Sequence, residues 1–448
     1  MPHGLRGTRM ERQSRSKGFG DSMLRPRAIR VVPQPDYCLL VTFDSGETRE
    51  KAVTERAKEK GAVVVTGARQ VGKTTLIETM MPDVARVTFD DLAVRRSAIE
   101  EPAAFLQLNP PPLFIDEVQY VPDIFPYIKI ALDKSRQKGD FFLTGSQSYK
   151  LMKNVGESLA GRAGILQLLG LSLREMRGEK WSEPFLPTID YLMRRKDARQ
   201  DLPIKEAWRT IHRGSLPELF VEKDFDWRNF YADYVTTYIE RDVRSLTQVG
   251  DEMQFLRFMT VCAAMTGRML NLASLARDVG ISEPTAKRWL SVLRASGVVY
   301  LLKPYANNAI KRAVKTPKLY FLDTGLAAYL TRWLTPETLS EGAASGHFFE
   351  SFVVAEILKS YTNAGKEEDF YYLRDGNGNE VDLLIFHNNT LYPIEVKQHS
   401  APTSRDIKSF DMLNRIKGTK RGEGGIVCLS QELLPLKDNH RIIPLCFL

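Results

Sequence analysis

Cysteine is scarce in this chain, with four among 448 residues. Cys38, Cys262, Cys428 and Cys446 lie far apart, without the close spacings that hold a structural metal. A disulfide-stapled fold is therefore not expected, and the four read as reduced core residues of a cytoplasmic protein. Long apolar runs are missing as well. The longest are strand-sized, which excludes a membrane-spanning helix and leaves no expectation of a membrane partner. The basic N-terminus lacks an apolar stretch, so no secretory leader is expected. Acidic residues are nearly absent before residue 31, where Glu11 and Asp21 stand against eight Arg and Lys side chains. Most of the net charge of +8 therefore sits in this arm. Such an arm can hold DNA non-specifically; it can equally be an over-extended start, with Met10 or Met23 the real beginning.

What is present is ordinary in bulk. Hydrophobic residues make up 43% and charged residues 26%, proportions of a common globular protein. The length exceeds what one core supports, so several domains are expected. Residues 1–27 read as disordered, rich in Gly, Ser and Arg. Two short β-type runs at 28–32 and 37–43 read as a small hairpin without an assignable role.

The informative stretch is Gly67-Ala68-Arg69-Gln70-Val71-Gly72-Lys73-Thr74. It follows the apolar run Ala62-Val63-Val64-Val65 and leads into a helix-prone segment at 75–81. Strand, G-x-x-x-x-G-K-[ST] and helix together form a phosphate loop. Its glycines let the backbone N–H groups turn inward onto phosphate oxygens, at the positive end of a helix. Residues Gly67 to Thr74, with Thr75, are thus the expected ATP contacts. Lys73 is expected to reach the β- and γ-phosphates, and the Thr74 hydroxyl to complete a Mg²⁺ shell.

A second half of such a site comes from Leu113-Phe114-Ile115, which runs into Asp116-Glu117. Asp116 suits Mg²⁺ held through water, and Glu117 suits activation of the attacking water. A further apolar strand, Phe141-Phe142-Leu143, ends at Thr144-Gly145-Ser146. Thr144 or Ser146 would then lie near the γ-phosphate, and Ser146 is assigned to the nucleotide. Arg162, set among Ala160, Gly161, Ala163 and Gly164, has two readings. It is an arginine finger, acting in cis or across a homo-oligomer, or a surface arginine in a turn.

These segments, GARQVGKTT, LFIDE, FFLTGS and ESLAGRAG, resemble the prokaryotic AAA-type ATPases that carry a C-terminal domain of unknown function. Arg213-Gly214-Ser215-Leu216-Pro217-Glu218 and Tyr238-Ile239-Glu240-Arg241-Asp242-Val243 carry the same resemblance, which runs from about residue 52 to the C-terminus. It implies ATP binding and hydrolysis, and no defined biological task.

Downstream, the apolar positions Leu272, Leu275, Ala276 and Val279 predict one helix. Gly280-Ile281-Ser282 predicts a turn, and Ala286, Leu290 and Leu293 mark the buried face of a second helix. With flanking strands at 298–302 and 318–322, this reads as a winged helix-turn-helix. Thr285, Lys287, Arg288, Ser291 and Arg294 then face outward, as a DNA-reading helix requires, with Lys303, Lys311, Arg312 and Lys315 adding charge nearby. The same unit can equally be a packing or regulatory module.

The last hundred residues hold a second acidic pattern. Glu380-Val381-Asp382 and Ile394-Glu395-Val396-Lys397 read as paired strands around the turn His387-Asn388-Asn389. This resembles the restriction-endonuclease-like, PD-(D/E)xK, fold. Period-two alternation puts Glu395 and Lys397 on one face beside Asp382. Asp382 and Glu395 would hold Mg²⁺, Lys397 would orient or deprotonate water, and Glu350 would complete the cluster. A structural salt bridge to Lys397 would satisfy the same carboxylates.

The expected fold class is multi-domain α/β. Residues 1–51 form a basic arm with a small β piece, and 52–180 an AAA-type P-loop NTPase domain with a parallel sheet. Residues 181–255 form a helical connector, 256–345 the winged helix and 346–448 the nuclease-like domain. The favoured function is Mg²⁺-dependent ATP hydrolysis acting on DNA, with a nuclease centre at Asp382, Glu395 and Lys397. The alternative is a non-nucleolytic ATP-driven switch that binds protein partners.

Overall fold

Strand register and burial come from a computed structural model, which describes residues 28–33, 39–43, 47–145, 151, 155–220, 226–238, 252–305, 316–367 and 369–448. The basic arm before residue 28, Cys38, Ser146, Arg241, Lys311, Arg312 and Lys315 lie outside the described residues. Strands β1 (Ala28–Pro33) and β2 (Leu39–Phe43) pair antiparallel as a hairpin.

The first large sheet has five parallel strands: β3 (Ala62–Gly67), β4 (Ala85–Thr88), β5 (Leu113–Asp116), β6 (Phe141–Gly145) and β7 (Ala163–Leu168). Their spatial order is β4-β5-β6-β3-β7. Every residue of β3, β5 and β6 is buried. This is why they read as unbroken apolar runs: helices cover both faces of a parallel sheet. The helix Lys73–Met80 leaves β3 through the phosphate loop. All five strands point the same way, so their carboxyl ends gather along one edge, where open α/β sheets bind ligands.

A second sheet contains β8 (Arg268–Met269), β9 (Val299–Pro304), β10 (Lys318–Phe321), β11 (Asp369–Arg374), β12 (Glu380–His387) and β13 (Thr390–Lys397). It is completed by β14 (Lys420–Arg421), β15 (Gly425–Cys428), β16 (Leu434–Pro435) and β17 (Arg441–Pro444). The order is β16-β17-β15-β13-β12-β11-β9-β10-β8, with β14 beside β13. Asn388 and Asn389 both take positive φ in the turn between β12 and β13, as a tight hairpin requires. The helices Leu272–Val279 and Glu283–Ala295 precede β9, and Asn271 and Ser282 cap their N-termini. The strands β9 and β10 do not stand apart as wings. β9 pairs in parallel with β11, so one sheet runs through the boundary expected at residue 345.

Helix Ser345–Asn363 explains that continuity. It is buried nearly all round, including Glu356 and Lys359, and packs against both β13 and β7. One apolar core accordingly extends from Ala52 to Leu448.

Residues 174–207, whose mixture of Pro, charge and aromatics predicts an interdomain connection, contribute several charged side chains to the core. Arg174, Arg177, Glu179 and Arg195 are all buried. Arg174 donates to the Leu448 carbonyl at 2.7 Å and to the Tyr191 hydroxyl at 2.7 Å, and Arg195 pairs with Glu179. Glu356 accepts from the Leu173 amide at 2.6 Å and from Lys359 at 2.8 Å, while Lys359 also donates to the Leu171 carbonyl at 2.9 Å. Charge in a sequence reads as solvent-facing, yet here each ion finds its partner inside.

Removing one member of such a pair strands the other. Glu356→Ala should cost about 3–5 kcal/mol, read as a fall in the urea midpoint. The double variant Glu356→Leu with Lys359→Met should recover most of that loss. Equal losses in single and double variants would show that the pair does not hold this junction.

Candidate nucleotide site and C-terminal acidic cluster

The phosphate loop follows from its local sequence. A Cβ on Gly67 would strike the Leu168 carbonyl at the end of β7, so only glycine lets the chain turn there. Gln70 and Gly72 take φ of 58° and 87°, the alternation that curls successive N–H groups into one concavity. Lys73 is buried, and its ammonium spans the curl, donating to the carbonyls of Gly67 at 3.3 Å and Ala68 at 2.7 Å. Thr74 and Thr75 open the helix behind it and are half-buried, as is Arg69, which lies beside the Tyr120 hydroxyl. Ala68 and Val71 are buried and Gln70 is exposed.

Asp116 ends β5, which is separated from β3 by β6. The bridge between them is Thr144, buried at the end of β6, whose hydroxyl donates to Asp116 Oδ1. The Thr74 hydroxyl donates to the same oxygen at 3.0 Å. Thr144 therefore orients the carboxylate of Asp116. Burial, followed by the neighbouring Glu117, pushes the Asp116 carboxyl above its ordinary range. Glu117 has φ of 54°, a left-handed bend that ends β5, and accepts from the Gln119 amide. Arg86 of β4 lies 3.6 Å from Asp116 Oδ2 and also pairs with Glu78. Nothing in its sequence context marks Arg86, because only the strand order brings it to this edge. The hydroxyl of Thr74 and the carboxylate of Asp116, already within hydrogen-bond distance, are the donor set a Mg²⁺ ion takes.

Arg162 is placed elsewhere. It precedes β7, and the β3–β7 register sets Ala62 opposite Ala163 and Gly67 opposite Leu168. It thus sits about 17 Å from the phosphate loop along β3, at the far end of the sheet. Its guanidinium pairs with Asp133 at 2.6 Å and 3.1 Å. The reading of Arg162 as a finger in cis is corrected by this register.

Residues 59–177, the segment just described, match the AAA domain family. That segment is thus similar to AAA domains, and its five-stranded parallel sheet fits a P-loop ATPase core. Outside the AAA domain, residues 204–337 match a domain of unknown function (DUF8612), and residues 345–448 match another, DUF4143. An uncharacterized protein of Mycobacterium tuberculosis is 29% identical over 410 residues, covering 91% of this chain and 84% of the relative. An uncharacterized protein of Methanocaldococcus jannaschii is 22% identical, covering 87% and 89%. Among solved structures, a Walker-type ATPase of Pyrococcus abyssi covers 63% of this chain and 95% of its own, at 16% identity and a TM-score of 0.42. Among the described residues, no helix is long and apolar enough to cross a membrane.

Beyond the AAA domain, the structure brings together the second set of expected residues. Asp382 on β12 accepts from the Val396 amide at 2.9 Å, and Lys397 donates to Glu395 at 2.7 Å within β13. Glu350, on helix Ser345–Asn363, accepts from the Tyr320 hydroxyl at 2.6 Å. Lys318 and Tyr320, both on β10, are further members. Lys318 of β10 lies 2.8 Å from Glu350, 2.5 Å from Glu380 and 3.8 Å from Asp382. The sequence gives no sign of this, since Lys318 reads as a charge on a wing strand. Among the described residues, no group of three or more His, Cys, Asp or Glu side chains is arranged to hold a metal ion. The expected Mg²⁺ ligands Glu350, Asp382 and Glu395 share a cluster with Lys318 and Lys397, whose ammonium groups lie within 4 Å of them.

Burial, with Asp382 close by, pushes the Glu350 carboxyl up to about 7 and that of Glu395 up to about 9. Above the ordinary value of 4.5, each is thereby held more towards its protonated form in the fold than in the unfolded chain. The folded state binds more protons in that window, so stability should fall as pH rises from about 4.5 towards 9. Glu395→Gln should flatten the pH dependence of the thermal midpoint between pH 5 and 9, about the window bounded by these values. An unchanged slope would show that Glu395 is ionised in the fold. In the AAA domain, Arg162→Ala should leave ATP turnover at the wild-type rate. A loss that is restored on mixing with Lys73→Ala chains would instead reveal a finger acting between copies.

Proposed function

We propose that this chain is a Mg²⁺-dependent ATP hydrolase whose nucleotide state controls the position of the helix pair 272–295 and, through it, the C-terminal sheet. The observation that carries this reading is where the phosphate loop packs. A Cβ on Gly297, in the turn that closes helix Glu283–Ala295, would lie 3.4 Å from the Ala68 amide nitrogen. Pro217, within the RGSLPE segment, lies close to Gly72. The backbone that holds phosphate is thus also a docking surface for the rest of the chain.

The chemistry follows from the donor set. The loop amides and Lys73 hold the β- and γ-phosphates, and Thr74 and Asp116 would hold the Mg²⁺ that neutralises charge developing on them. Thr144 keeps Asp116 aimed at that position. Glu117 takes a proton from the attacking water. Arg162 would enter only from a second copy, as a trans finger in a homo-oligomer.

A DNA partner is the second reading, favoured by the exposed Lys287, Arg288, Ser291 and Arg294 on one helix, with Lys303 also exposed. This would be a phosphate-backbone contact with steep salt dependence. Cleavage of that DNA is less well supported, because Lys318 stands among the carboxylates that would have to hold metal.

Lys73→Ala should abolish ATP binding. Glu117→Gln should keep binding while turnover falls about 10²–10⁴-fold. ATP should also change hydrogen exchange in helix Glu283–Ala295 of the wild type and not of Lys73→Ala. ATP hydrolysis with no exchange change in that helix would retain the hydrolase and sink the switch.

A further inference from the structure

The acidic cluster of the C-terminal sheet has a cation built into it. Lys318 and Tyr320 alternate onto one face of β10, and both reach Glu350. The Lys318 side chain is 4% exposed, and its ammonium also reaches Glu380 and Asp382. Those carboxylates come from two separate elements: helix Ser345–Asn363, and two positions two residues apart on β12. A point of positive charge at which carboxylates from different elements converge is the place a divalent ion would take in a metal-dependent nuclease. Here it is reached by an ammonium whose chain enters from β10. Lys397 serves Glu395 from the other side, at 2.7 Å. A divalent ion entering this space would meet the lysine charge within a few ångströms, with little water between to screen it.

We propose that Lys318 is the resident counter-ion of this cluster and takes the place of a divalent metal, so that the C-terminal sheet keeps a nuclease-like carboxylate arrangement without binding metal. The role is structural: one ammonium ties β10 to β12 and to the central helix, joining the segment before residue 345 to the one after it. This reading does not depend on the ATPase proposal, and failure of either leaves the other standing.

The test is Mn²⁺ binding to the nucleotide-free full-length chain, followed by electron paramagnetic resonance. An Asp116→Asn background removes metal uptake at the phosphate loop. Wild-type Lys318 chains should show no Mn²⁺ uptake that depends on Asp382. Lys318→Met should gain one Mn²⁺ per chain, about tenfold or more tighter than any residual binding, and lose it again when Asp382→Asn is added. Mn²⁺ bound by the Lys318 chain and lost in Asp382→Asn would overturn the proposal. So would a folded Lys318→Met chain that gains no Mn²⁺. If Lys318→Met does not fold, thermal unfolding of the Lys318 chain decides. A midpoint raised by Mn²⁺, and not raised in Asp382→Asn, overturns the proposal, and an indifferent midpoint in both supports it.

Discussion

The molecule depends on charges that have no water to retreat to. Where β7 leaves the AAA sheet, Arg49 pairs with Glu175, and Asn363 donates to that same glutamate at 3.0 Å. Glu356 and Lys359 reach back from the central helix to residues 171–173, and Arg174 reaches the Leu448 carbonyl. Buried ions of this kind add little net stability over apolar side chains of the same shape, but each is costly to leave alone. Their effect is on uniqueness. In this docking each of them finds a partner, and the apolar core closes around that arrangement.

That docking decides what faces the nucleotide edge. The phosphate loop does not open onto solvent on every side. Pro217 and the turn at Gly297 lie against it, and Asp323 fixes the segment carrying Pro217 by accepting from the Ser215 amide at 2.7 Å and the Tyr231 hydroxyl at 2.6 Å. The segment Arg213 to Glu218 is therefore a turn held beside the phosphate loop.

What could be read from the sequence was what is local. The phosphate loop, the acidic end of β5, the helix pair with its Ser282 cap and the β12–β13 hairpin each rest on residues close in the chain. Their elements form within a residue or two of the expected positions. What could not be read depends on partners far away in sequence. Lys318 meets Glu350, Glu380 and Asp382 only because β9 pairs with β11 and fuses two expected domains into one sheet. Arg162 lies near Lys73 in a list of motifs, yet strand direction puts the two at opposite ends of β3. Residues 174–207 look like a linker because a buried ion pair and a solvated one have the same composition. Residues 406–416, whose sequence reads as a helix, are the end of a turn followed by the 3₁₀ segment Lys408–Arg415.

The contact between Gly297 and Ala68 has a thermodynamic corollary. If nucleotide on the loop changes how tightly the helix pair is seated, linkage requires that seating change nucleotide affinity by the same factor. Whatever engages the exposed face of helix Glu283–Ala295, nucleic acid or protein, then acts as an effector of the ATP site without approaching it. A coupling of about 1–3 kcal/mol, common for such pairs of sites, would make a partner's presence legible as a roughly 5- to 150-fold change in ATP affinity. The loop is in that sense a two-way gauge.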